Sequence, residues 1–216
     1  MKDIHVIRTG MLAVNTLVVP VGEKKCFVVD PAACSLSSDE TVIVDYLKKQ
    51  KLECTGIVLT HSHFDHITGI EQLKRAFPKA PVLIHQAEYE EMQNPPGPMG
   101  ASVISFFGIS QFIPIISKQP SAEIALTDGQ TLECIEAPDW KVIHTPGHTP
   151  GSICLYNEKD GLLISGDTLF DYGGYGRTDM AGGDEALIKK SLAKIHSTIP
   201  AGTKVYPGHE SYCFLL

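Results

Sequence analysis

Apolar residues in this chain fall in short runs separated by polar punctuation. Runs at 14–21, 25–30, 56–60, 81–85, 131–135, 140–144, 152–157, 162–165 and 204–206 carry many β-branched residues. Most are bounded by Gly, Pro, Asp or Asn, the pattern of strands rather than of buried helices. Helical spacing appears between them. Residues 39–50 bring Val42, Ile43, Tyr46 and Leu47 to one face, with Ser37 or Ser38 as the capping residue. Residues 67–77 group Ile67, Ile70, Leu73 and Phe77 and stop at Pro78. Residues 184–197 group Leu187, Ile188, Leu192 and Ile195 behind Asp184 as N-cap. Strands with helices interspersed in both halves, without strict alternation, predict an α/β chain of two sheets with helices outside.

One segment breaks the pattern. Residues 94–120 are Pro-rich and then apolar, with several Gly and Ser. They read as a surface loop with a short helix on the core, or as a flap beside a binding site, since loops of this length in compact domains are often functional.

The 216 residues predict a single domain over 1–216. A chain of this size buries roughly 70% of its unfolded surface, so it needs no disulfide framework. The net charge of −7, with no basic cluster longer than a lysine pair, argues against nucleic acid and anionic membrane as partners. No apolar run approaches the ~18 residues of a membrane span, and "MKDIHVIRTG" lacks the apolar core of a secretory signal. The six cysteines, at 26, 34, 54, 134, 154 and 213, form no C-x-x-C pair and read as buried thiols. Cys134 and Cys154 lie within strand patterns and read as core. A cytoplasmic protein is expected.

The chemistry concentrates in "THSHFDH", residues 60–66. His61 and His63 are two apart, so an extended segment turns both to one face where they can share an ion. Asp65 and His66 follow where the chain enters the next helix, and their different direction suits a second ion. Three more apolar runs end at a candidate ligand: His148 after "WKVIHTPG", Asp167 after "LLISG" and His209 after "KVYPG". Strand ends on one sheet edge can converge. Seven ligands make two sites of three protein ligands and one shared carboxylate, Asp167. A single histidine after a strand is commonly a packing residue, and His5, His85, His144 and His196 are read so.

These residues carry a resemblance. "VVDPA" (28–32), "THSHFDHITG" (60–69), "HTPGHTPGSICLY" (144–156), "SGDTLF" (165–170), "GYGRTDMAGGD" (174–184) and "YPGHES" (206–211) stand in the order of the metallo-β-lactamase-fold superfamily. They resemble its glyoxalase II-like branch, the hydroxyacylglutathione hydrolases. The resemblance implies the four-layer αββα sandwich and a dinuclear hydrolase of thioesters such as a glutathione thioester. By position, His61, His63 and His148 would bind one ion and Asp65, His66 and His209 the other, with Asp167 bridging. Two divalent ions are implied, zinc foremost, with iron or manganese also suited. Asp65 would orient the attacking water and shuttle its proton, and Asp30 would support the histidine loop from behind. The sequence runs seven residues beyond His209 (216 − 209), and the helical C-terminal domain of two-domain glyoxalase II proteins is expected to be absent.

Three other readings share the sequence. "GYGRTD" is similar to a motif of persulfide dioxygenases, in which one iron uses the positions of His61, His148 and Asp167. A lactonase keeps the same ligands. A non-catalytic scaffold fits less well, because structural sites are usually closed and often use Cys. Arg177 and Asp179 are expected to pin a loop as a charged pair. Tyr172, Tyr175 and Tyr212 are expected to pack.

Overall fold

The computed structural model describes residues 3–216. Two six-stranded sheets face one another. The first is ordered β1(His5–Thr9), β2(Val14–Val21), β3(Lys25–Val29), β4(Glu53–Val58), β5(Val82–His85), β6(Ile124–Leu126). The second is ordered β12(Phe214–Leu215), β11(Lys204–Pro207), β10(Leu162–Gly166), β9(Ile153–Asn157), β8(Ala137–His144), β7(Thr131–Leu132). Strands β3 to β6 run parallel, as do β10 and β11, while the remaining pairs are antiparallel.

The period of two along each strand builds the layers. On β3, Phe27 and Val29 enter the space between the sheets, while Cys26 and Val28 face the helices. Both faces are buried, so the strand reads as a continuous apolar run. The interlayer core joins Leu17, Phe27, Val58 and Leu83 to Trp140, Leu155 and Ile164. Helices α1(Val42–Gln50), α2(Phe64–Ile67), α3(Ile70–Ala76), α4(Pro98–Phe107) and α5(Ile113–Ile116) contribute to the cluster outside the first sheet. Helix α6(Glu185–Thr198) covers the second through Ile195, with Ile199 just beyond its end. The result is the expected αββα sandwich.

Several details depart from the sequence pattern. Helix α1 begins at Val42, and neither Ser37 nor Ser38 caps it. Ser37 instead donates to Asp39 at 2.6 Å, and Asp39 also accepts from the Cys34 and Gly10 amides. The 67–77 stretch divides into α2 and α3, because Gly69 N is drawn to the Pro31 carbonyl at 2.8 Å. Run 131–135 is a two-residue strand and a 3-10 turn, since the chain reverses at Glu136, whose φ is +62°. Cys134 is therefore exposed rather than core, as is Cys213. Asp184 caps α6 as expected, accepting from the Ala186 and Leu187 amides, but Leu187 is exposed. Tyr172 and Tyr212 do not pack into the core, being 99% and 55% exposed. Segment 94–120 is mostly helical, carrying α4 and α5. No helix among the described residues is long and apolar enough to cross a membrane.

Candidate metal centre

The seven predicted ligands meet at one edge of the sandwich. Donor atoms of His61, His63 and His148 lie within 4.8 Å of one another, as do those of Asp65, His66 and His209. Asp167 stands between the groups. Its Oδ2 lies 3.5 Å from His148 Nε2, and its Oδ1 lies 3.6 Å from His66 Nε2. His209 Nε2 sits 3.4 Å from Asp65 Oδ2 and 3.2 Å from His66 Nε2.

Backbone and side-chain partners set which ring nitrogen faces the centre. Asp30 is buried where β3 ends. Its carboxylate accepts from Thr60 N at 2.8 Å and Thr60 Oγ1 at 2.6 Å, and from His66 Nδ1 at 3.0 Å. With its proton committed to Asp30, Thr60 Oγ1 is an acceptor for His61 Nδ1 at 3.1 Å. His148 Nδ1 donates to the Arg177 carbonyl at 2.7 Å, and His209 Nδ1 to the Leu12 carbonyl at 3.2 Å. Each of these four rings so commits Nδ1 to an oxygen acceptor and turns Nε2 inward, which is how second partners orient imidazole for a metal.

The buried polar atoms test the fit. Five buried side-chain atoms among the described residues have no hydrogen-bond partner, and four belong to this cluster: Nε2 of His61, His63 and His148, and Oδ1 of Asp167. Buried polar atoms without partners are costly, and a cation would satisfy these. Burial, with neighbouring imidazoles adding to it, pushes His61 and His63 well below the ordinary histidine range. The neutral ring is the form that coordinates. Around His66 burial is opposed by Asp167, then Asp65 and Asp30, which push its pKa up to about 10. Burial also opposes the ionised form of Asp65, but His66 leads the groups that hold it below the usual carboxylate range. The centre thus favours positive charge beside its carboxylates.

Two further residues support the centre, and the first has no signature in the sequence pattern. Glu88 is buried on the 3-10 turn after β5. Its Oε2 accepts from Ser62 N and its Oε1 from Gly151 N, both at 2.7 Å. One carboxylate therefore ties the His61–His63 segment to the loop after His148. Gly208 is the second. A Cβ there would stand 2.2 Å from Asp167 Oδ1, so the close approach of this loop requires glycine.

The centre opens into a cavity of about 310 Å³, lined beyond the donors by Leu12, Val103, Phe107, Phe170, Arg177 and Met180. Helix α4 contributes two of these, which places part of segment 94–120 at the opening. Arg177 and Asp179 form the expected bidentate pair, with both contacts at 2.7 Å.

Comparisons agree with this geometry. The sequence profile of the metallo-beta-lactamase superfamily matches residues 9–209. A probable metallo-hydrolase of Bacillus subtilis, YqgX, is 31% identical over 88% of this chain and 82% of its own. A hydroxyacylglutathione hydrolase of Pelagibacter ubique is 29% identical over 96% and 71%. Among solved structures, the B3 metallo-beta-lactamase BLEG-1 has a TM-score of 0.80 at 32% identity, covering 99% of this chain and 94% of that one. TTHA1623 in a di-iron-bound form has a TM-score of 0.76 at 26% identity, covering 98% and 94%. ETHE1 from Myxococcus xanthus shares the fold at 21% identity, with a TM-score of 0.72 over 99% and 80%. With a matching profile across most of its length and the donor cluster at the expected strand ends, the chain belongs to the metallo-β-lactamase superfamily.

Proposed function

We propose that this protein is a dinuclear metal-dependent hydrolase of small-molecule thioesters, acting as one domain in the cytoplasm. The observation that carries the reading is Asp167, whose carboxylate lies 3.5 Å from His148 Nε2 of one triad and 3.6 Å from both His66 Nε2 and His209 Nε2 of the other. Three donors on each side and one shared carboxylate suit two ions better than one. His61, His63 and His148 would hold the first, and Asp65, His66 and His209 the second. Zinc is the expected metal, and iron or manganese also suit the donor set. Bound ions would supply Lewis acidity and a water acidified toward neutral pH. Asp65 would orient that water and take its proton. Water adds to the thioester carbonyl carbon, the C–S bond breaks, and the thiol leaves with the remaining proton. The relative named hydroxyacylglutathione hydrolase supports the thioester, and the di-iron form of TTHA1623 supports a two-ion centre.

The test joins metal analysis to two assays, thioester hydrolysis and oxygen uptake. We expect about two ions per chain, hydrolysis of thioesters, and no oxygen consumption. Asp167→Asn should keep the fold, lose metal and lower turnover by roughly a hundredfold or more. Full metal content with normal turnover in that variant would remove the bridging role. One iron per chain, with oxygen uptake on glutathione persulfide and no thioesterase activity, would replace this reading by a persulfide dioxygenase. Preferential lactone or β-lactam hydrolysis would move it to those substrates.

A further inference from the structure

The walls of the opening carry little charge. Leu12 and Phe107 line it while remaining 52% and 42% exposed. Phe106 is 60% exposed and packs with Phe107 against Arg177, whose guanidinium lies 5.5 and 5.1 Å from the two ring centres. Val103, Phe170 and Met180 continue the apolar surface inward. Large apolar side chains left in water around one cavity mark a surface that binds something apolar.

The charged groups point the same way. Beyond the seven donors, the lining holds two charged side chains, Arg177 and Glu210. Arg177 commits Nε and Nη2 to the two oxygens of Asp179. Arg8, near the rim, donates to the Glu210 carbonyl and to Asn15, and stacks 4.1 Å from the Tyr212 ring centre. A glutathione arm brings two carboxylates and one ammonium, and a site built for it needs cations free to pair with them. The one cation lining this cavity, Arg177, already turns two of its donors to the Asp179 carboxylate.

We propose that the site selects thioesters whose arm along α4 is uncharged and apolar, alkyl or aryl, in preference to glutathione thioesters. This rests on the thioesterase reading, and it gives Phe107 and Leu12 the role of apolar walls and the Arg177–Asp179 pair the role of excluding anions. Asp179 sets specificity by occupying the cation that a carboxylate would otherwise reach.

The test compares hexanoyl-N-acetylcysteamine, hexanoylglutathione and S-lactoylglutathione on the metal-loaded enzyme. The neutral ester should lead in kcat/KM by about tenfold or more, mainly through KM, the scale of discrimination that pocket contacts provide. Phe107→Ser should shrink that lead, since it removes an apolar wall at an exposed position. Asp179→Asn should also shrink it, by lowering KM for the two glutathione esters as Arg177 becomes free. A glutathione ester equal to or better than the neutral one overturns the inference and leaves the thioesterase reading standing. So does an unchanged ratio in both variants. Hydrolysis of none of the three overturns the inference and the thioesterase reading together.

Discussion

At the scale of single residues, the centre depends on groups that never touch a reacting atom. Glu88 is the clearest. Its two oxygens each accept one backbone N–H, from Ser62 and Gly151. Glu88→Gln keeps the shape but offers one oxygen and one amino group, so one N–H must face another donor. The first triad should loosen, because both tied segments adjoin its histidines. We expect metal affinity to fall by about tenfold or more, the usual effect of losing a supporting partner. Titration against a chromophoric chelator reads this directly, and wild-type affinity for both ions would refute it. Four of the seven candidate donors, His61, His63, Asp65 and His66, stood out in the sequence because H-x-H-x-D-H is a dense pattern, and His148, Asp167 and His209 because each follows an apolar run. Glu88 was not, because a glutamate three residues after a strand has no spacing that distinguishes it. Its role exists only once β5 is placed beside the two loops.

At the scale of elements, most strands were legible and their edges were not. Strands β1, β6 and β12 escaped the pattern. The first has only two apolar residues, Val6 and Ile7, side by side between polar ones, and the others have three and two residues. Helix α1 started late because Asp39 was already engaged by the preceding turn. Pairing between elements also creates chemistry that no single element carries. His85, ending β5, stacks on His144, ending β8, at 3.9 Å and 16°. Burial, then the neighbouring His144, pushes His85 down to about 4, with Asp128 opposing. The folded pKa lies below the unfolded value of 6.5, so acid protonates the unfolded chain first. Stability from this group is complete above pH 6.5, declines as pH falls, and is lost by about pH 4. His85→Asn retains an acceptor for the Ala87 amide, which now binds His85 Nδ1. The variant should lose less stability than wild type between pH 7 and 4.5, read from denaturant midpoints. Parallel pH curves for the two proteins would show that the stack does not titrate.

At the scale of the whole molecule, β1 to β6 form one sheet and β7 to β12 the other, and no strand crosses between them. The turn at residues 127–129 is exposed and lies at the boundary. Each donor triad spans that boundary. His61 and His63 come from the first half and His148 from the second, while Asp65 and His66 come from the first and His209 from the second. Cutting after Asp128 would therefore leave two fragments, neither holding a whole triad. The apolar interlayer would bring them together, and metal would bind most tightly to the joined form, which alone completes the two triads. At a metal concentration about 100 times its dissociation constant, fragment affinity should rise by roughly a hundredfold, and a chelator should reverse it. Sedimentation of the mixed fragments with and without zinc measures this, and association indifferent to chelator would disprove it. Divided at that turn, the protein becomes a two-part sensor, its rejoining a readout of free metal in the surrounding solution.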